Sequence, residues 1–129
     1  MSNNVTEVAT VRYLVDDVSA AIEFYTEQLG FTLGQDFSPA VAFVSRGPLR
    51  LLLAGPKSSA ARPMPDGEIP QPGGWNRIHL IVDDIAAEIE RLRAAGVPFR
   101  NDIVEGPGGQ QILVIDPAGN FVELFQPAE

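Results

Sequence analysis

A twelve-residue segment of this chain recurs, and the recurrence restricts the fold more than any other feature. Val11-Arg12-Tyr13-Leu14-Val15-Asp16-Asp17-Val18-Ser19-Ala20-Ala21-Ile22 returns 67 positions later as Ile78-His79-Leu80-Ile81-Val82-Asp83-Asp84-Ile85-Ala86-Ala87-Glu88-Ile89. Each copy reads as a hydrophobic strand, a pair of aspartates at a turn, and an amphipathic helix. Two related halves within 129 residues are expected to form one domain that closes over a shared cleft.

Turn residues and hydrophobic periods extend each copy in the same order. In the first half, Ala9 to Val15 is a strand, and Val18, Ile22, Tyr25 and Leu29 form one helical stripe that Gly30 ends. Phe24 lies off that stripe. Strands over Phe31 to Leu33, Ala40 to Val44 and Leu49 to Leu53 follow, the last two joined at Arg46-Gly47-Pro48. The second half runs as strand over Arg77 to Val82 and helix over Ile85 to Ala95, with Gly96 as its stop. Strands over Val97 to Val104, Gln111 to Ile115 and Phe121 to Phe125 complete it, with turns at Gly106-Pro107-Gly108-Gly109 and Asp116-Pro117-Ala118-Gly119-Asn120. The expected fold is therefore α+β, as βαβββ over 8–54 and βαβββ over 75–126. Between them, 55–74 carries five prolines and reads as a flexible linker, or as a flap with Met64, Ile69 and Trp75 as apolar contacts to a ligand.

Composition removes several classes of function. There are no cysteines, hence no disulfide framework and no thiol nucleophile. A net charge of −8 disfavours nucleic acid and anionic membranes, which need clustered Lys and Arg. No apolar run approaches the roughly 20 residues of a membrane span. Met1-Ser2-Asn3-Asn4 is neither basic nor hydrophobic, so a cytoplasmic location is expected by default. Asp16, Asp17, Asp83 and Asp84 precede helices and read as caps rather than as paired catalytic acids.

Val15-Asp16-Asp17-Val18, Phe24-Tyr25 with Leu29-Gly30-Phe31, and Asp116-Pro117-Ala118-Gly119-Asn120-Phe121-Val122-Glu123-Leu124 together resemble the vicinal oxygen chelate superfamily. That superfamily includes glyoxalase I, extradiol dioxygenases, methylmalonyl-CoA epimerase, and the fosfomycin and bleomycin resistance proteins. The resemblance runs from about Val8 to Gln126. It implies two βαβββ modules curled into a half-open barrel around one cleft, commonly completed by a second subunit, so a homodimer is expected. It also implies a divalent metal held by one side chain from each of four strands. Carried onto this sequence, those positions fall on Thr10, Arg77, Leu51 or Leu52, and Glu123. Threonine binds such metals poorly, leucine cannot bind them, and arginine stays protonated. No cofactor is expected, and a divalent metal is disfavoured.

The residues of the cleft point to what replaces the metal. Strand alternation puts Thr10, Arg12 and Leu14 on one face, and Arg77, His79 and Ile81 on the matching face of the second copy. Glu123, flanked by Phe121 and Phe125, is expected to face the cleft as well. Arg77 is expected to neutralise Glu123 in the metal's electrostatic role. Arg12, Trp75, Arg77, His79, Phe121, Glu123 and Phe125 are the candidate ligand-binding residues, and His79 and Glu123 are the candidate catalytic pair. Two functions of different class remain open. One is a bleomycin-resistance-like protein that binds a small molecule in a metal-free cleft. The other is a lyase, isomerase or dioxygenase with a displaced metal or with His79/Glu123 acid–base chemistry.

Overall fold

The computed structural model describes residues 8–129; the Met1-Ser2-Asn3-Asn4 start lies outside them. The chain divides into two compact units, Met1–Pro72 and Gly73–Glu129, each built on a four-stranded mixed sheet. The fold is α+β, and neither sheet closes into a barrel.

In the first unit the strands β1 (Thr10–Leu14), β2 (Thr32–Phe37), β3 (Val41–Arg46) and β4 (Leu49–Ala54) lie in the order β1-β4-β3-β2. β1 pairs with β4 in parallel, and the remaining pairings are antiparallel. Period-2 alternation turns Tyr13, Ala42, Val44, Leu51 and Leu53 toward the core. Helix α1 (Val18–Glu23) starts at Asp17, whose carboxylate accepts from the Ala20 N–H at 3.1 Å.

A single α-helix from Val18 to Leu29 is not what forms. After Glu23 the chain continues as a π-helical turn over Phe24–Gln28. The wider turn rotates successive side chains less than an α-turn does, and Phe24 therefore reaches the core instead of solvent. Phe24 and Tyr25 are both buried, edge-on to one another at 5.0 Å, and Tyr25 meets Phe31 edge-on at 5.5 Å. Aromatic packing on both residues accounts for the departure from α geometry.

The segment after β4 packs with the first unit. A 3₁₀ turn covers Ser59–Ala61, and the Ser58 hydroxyl donates to the Gly55 carbonyl at 2.7 Å. Ile69, Pro70 and Pro72 line a cavity of about 190 Å³ together with Leu14, Val15 and Ala54. Met64 and Ile69 are both largely exposed.

The second unit repeats the plan with β5 (Ile78–Ile81), α2 (Ile85–Ala94), β6 (Val104–Gly106), β7 (Gly109–Ile115) and β8 (Phe121–Pro127), in the sheet order β5-β8-β7-β6. Ile78, Leu80, Ile112, Val114, Val122 and Leu124 are buried. Asp84 caps α2 by accepting from the Ala87 N–H at 3.0 Å, and the Gln126 side chain accepts from the Ile85 N–H at 2.8 Å. Asp17 and Asp84 thus cap, while their neighbours Asp16 and Asp83 are exposed residues outside the caps.

A continuous strand over Val97 to Val104 is also not what forms. Only Val104–Gly106 is strand, with one isolated bridge between Phe99 and Val114. Pro98 has no N–H to give, and the Asn101 side-chain oxygen takes the Leu113 N–H at 3.0 Å, a bond that a backbone carbonyl would make in a ladder. The segment is held to β7 without becoming a strand.

Candidate functional site

The second sheet has one face covered by α2 and one that is open. Residues paired across strands share a face, so the register defines the open one. His79 pairs with Glu123, Ile81 with Phe125, Leu113 with Glu123 and Gln111 with Phe125. The strands therefore set Glu123 in the middle of this face, beside His79 and Leu113 and one row from Ile81, Phe125 and Gln111.

Glu123 is only 8% exposed, and burial of a carboxylate demands compensating partners. Arg77 supplies them: its Nε and Nη2 both lie 3.0 Å from Glu123 Oε1. The salt bridge expected between these residues is present. The Arg77 Nη1 donates to the Trp75 carbonyl at 3.2 Å, so the guanidinium is also tied to its own strand lead-in. His79 Nε2 lies 3.5 Å from Glu123 Oε2, at ion-pair distance. Among the described residues, no buried side-chain nitrogen or oxygen lacks a hydrogen-bond partner.

Aromatic rings flank the charged centre on both sides. Trp75 and Phe121 lie 5.1 Å apart, and His79 and Phe125 lie 4.8 Å apart with their planes inclined at 37°. Trp75 is 63% exposed yet held from two directions. The Arg100 guanidinium lies 5.7 Å from its ring centre, and two residues earlier the Gly73 N–H donates to Asn120 Oδ1 at 2.7 Å. Asn120 is fixed in turn by Asp116, whose Oδ1 accepts from the Asn120 N–H at 2.8 Å and whose Oδ2 accepts from the Asn120 side chain at 3.1 Å. The β7–β8 turn thereby orients the approach to Trp75.

Trp75, Arg77, His79, Phe121, Glu123 and Phe125 thus lie together on the second sheet. Thr10, Arg12 and Leu52 lie on the first. The pairing of Arg12 with Leu52 in β1–β4 and of His79 with Glu123 in β5–β8 makes Leu52 the counterpart of Glu123, since Arg12 and His79 are 67 positions apart in the repeat. Leu51, the alternative by sequence, is fully buried on the core side.

The donor set does not fit the metal that the fold family implies. Of the four positions only Glu123 offers a strong donor, the Thr10 hydroxyl being a poor one that already accepts from Arg50, and one Glu123 oxygen is occupied by a guanidinium that repels cations. Among the described residues no group of three or more His, Asp or Glu side chains converges on a point. Arg100 and Asn120 were not among the residues singled out from sequence. The Asp-Pro-Ala-Gly-Asn turn marked Asn120 as a turn residue, but nothing local signals that its side chain reaches Gly73.

Known proteins are similar to this chain in sequence and in fold. The family model of the Glyoxalase/Bleomycin resistance protein/Dioxygenase superfamily matches residues 7–124. The protein YwbC of Bacillus subtilis (strain 168) is 28% identical over 120 residues, which is 88% of this chain and 91% of YwbC. TnmS3, an antibiotic binding protein from Streptomyces sp. CB03234, superposes with a TM-score of 0.72 at 26% identity, over 98% of this chain and all (100%) of TnmS3. Lactoylglutathione lyase from Agrobacterium tumefaciens superposes with a TM-score of 0.70 at 25% identity, over 96% of each chain. With a repeat of βαβββ units, a matching family model over nearly its whole length and these structural relatives, the chain belongs to the Glyoxalase/Bleomycin resistance protein/Dioxygenase superfamily.

Proposed function

We propose that this protein binds a small, planar, apolar molecule on the open face of its second sheet, without a resident divalent metal. The observation that carries this reading is the Arg77–Glu123 ion pair, with two contacts of 3.0 Å to one carboxylate oxygen. It consumes the carboxylate that a metal would require, and it leaves a neutralised centre between two pairs of rings. Aromatic surface of this kind favours a ligand with a π-face, through stacking and burial. The antibiotic-binding relative TnmS3 supports a binding role within the family.

Trp75 is the chain's single tryptophan, so its emission reports on this face directly. Titration with a panel of planar aromatic compounds is expected to give saturable quenching for at least one of them. Phe121→Ala is expected to weaken that quenching by about tenfold, a loss of roughly 1.4 kcal/mol. Elemental analysis after soaking in zinc, nickel, iron(II) and manganese is expected to show less than stoichiometric metal. Stoichiometric metal lost in Glu123→Gln would refute the metal-free reading.

One geometric observation favours an enzymatic alternative. His79 is half-exposed, stacked on Phe125, and has its Nε2 3.5 Å from the buried Glu123. A carboxylate at that distance orients the imidazole, which is the geometry acid–base chemistry would use. His79→Gln separates the two functions: in a binding protein, which turns nothing over, it weakens ligand affinity by the loss of one ring of the His79–Phe125 pair, whereas in an acid–base enzyme it lowers turnover far more than it lowers binding.

A further inference from the structure

We infer that the open face of the first sheet is an oxyanion site built on Arg12 and Arg50. This inference stands on the first unit alone and holds whether or not the second sheet binds an aromatic molecule. β1 pairs Thr10 with Arg50 and Arg12 with Leu52, and β3 pairs Ser45 with Arg50 and Phe43 with Leu52. Paired residues share a face, so Thr10, Arg50 and Ser45 form one row across three strands, and Arg12, Leu52 and Phe43 form the next.

Arg50 is held in place from two sides. Its Nε donates to the Thr10 hydroxyl at 2.8 Å, and its guanidinium carbon lies 5.1 Å from the Phe43 ring centre. Those are its contacts among the described residues, and they leave its two terminal amino groups for a ligand. Arg12 is exposed and forms no ion pair with a described residue. β1, β3 and β4 contain no carboxylate at all. Among the described residues the two guanidiniums therefore sit on adjacent rows without an ion-pair partner, in a chain whose net charge is −8.

The internal repeat shows what is missing. In the second unit the residue at Arg12's place is His79, and it faces Glu123. In the first unit the residue facing Arg12 is Leu52. The strand position that carries the carboxylate in the second sheet carries a leucine in the first. Neighbouring like charges repel across a sheet, and an oxyanion bound by both forks relieves that repulsion. The planar fork of arginine suits carboxylate and phosphate oxygens alike, and the hydroxyls of Thr10 and Ser45 add donors in the same row.

The test is an NMR titration of the full ¹⁵N-labelled chain, following arginine Nε–Hε resonances at fixed ionic strength. Sodium phosphate and sodium acetate are added in separate series, with sodium chloride as the reference. Saturable shifts of the Arg12 and Arg50 resonances are expected, with Arg91 unmoved. A response to phosphate alone assigns a phosphate group, and a response to acetate as well assigns oxyanions generally; both support the site. Arg12→Gln, at an exposed position, and Arg50→Gln are each expected to weaken binding by about tenfold. Leu52→Glu supplies the carboxylate that the second unit already has, and it is expected to abolish binding. Shifts that are linear, that chloride reproduces, or that persist unchanged in Arg12→Gln would overturn the inference and leave a solvated basic face.

Discussion

Glu123 and Arg77 depend on each other unequally. The carboxylate side chain is 10% exposed and the guanidinium side chain 29%, so loss of the arginine strands the more buried charge. Arg77→Met is expected to lower stability by about 1–3 kcal/mol, less than a fully buried pair because water still reaches the arginine. Removing both charges in Arg77→Met/Glu123→Leu is expected to bring stability back to within about 1 kcal/mol of the parent. Urea midpoints of the parent, single and double variants measure both effects. Asp36 offers a pH-dependent counterpart. The Ser38 hydroxyl and the Ser38 N–H both donate to its carboxylate and hold its pKa below the ordinary 3.8. A depressed carboxylate contributes stability that is present above the ordinary pKa and is lost as pH falls through the lowered one. The Ser38 amide resonance is therefore expected to titrate with its midpoint below pH 3.8, and that transition should vanish in Asp36→Asn.

At the scale of elements, helix starts and hairpin ends carry the sharpest requirements. Asp84→Ala removes the side-chain acceptor for Ala87 N–H and is expected to cost about 1 kcal/mol. The β7–β8 pair is more demanding. Gly109 has φ +146°, and a Cβ there would lie 2.1 Å from the Gln126 carbonyl oxygen. Backbone cannot retreat as a side chain can, so Gly109→Ala is expected to destabilise by about 2 kcal/mol or more. At Gly108 the nearest atom would be Phe125 Cζ at 3.8 Å, an ordinary contact, and Gly108→Ala is expected to stay within about 0.5 kcal/mol. Thermal melts of the two variants side by side check the contrast. The π-helical turn at Phe24–Gln28 belongs to the same scale: a helix that must bury two adjacent aromatic residues gives up α geometry to do so.

For the whole molecule, one duplicated plan carries two different surfaces. The backbone repeat is retained in strand order and register, while the open faces have diverged to an arginine pair in one sheet and an arginine–glutamate pair among rings in the other. The acidic excess, with an isoelectric point near 4.5, predicts a solubility minimum close to that pH and good solubility at pH 7, which turbidity against pH would measure. Periodicity, the paired aspartates and the turn residues were enough to read the α+β class and the two βαβββ halves, because these depend on local chemistry repeated at fixed spacing. The family was legible only through the resemblance of motifs such as that over 116–124 to a known superfamily. The alternation along β5 and β8 was also enough to place Arg77, His79 and Glu123 on one face. The π-turn, the interrupted Val97–Val104 segment, the choice of Leu52 over Leu51, and the anchoring of Arg50 and Trp75 were decided only in three dimensions. Each depends on a partner outside its own element: Tyr25 on Phe31 and Tyr13, Leu113 on Asn101, Arg12 on Leu52, Arg50 on Thr10, Gly73 on Asn120. Local spacing specifies which face a side chain takes, but which atom meets it there is a property of the folded chain.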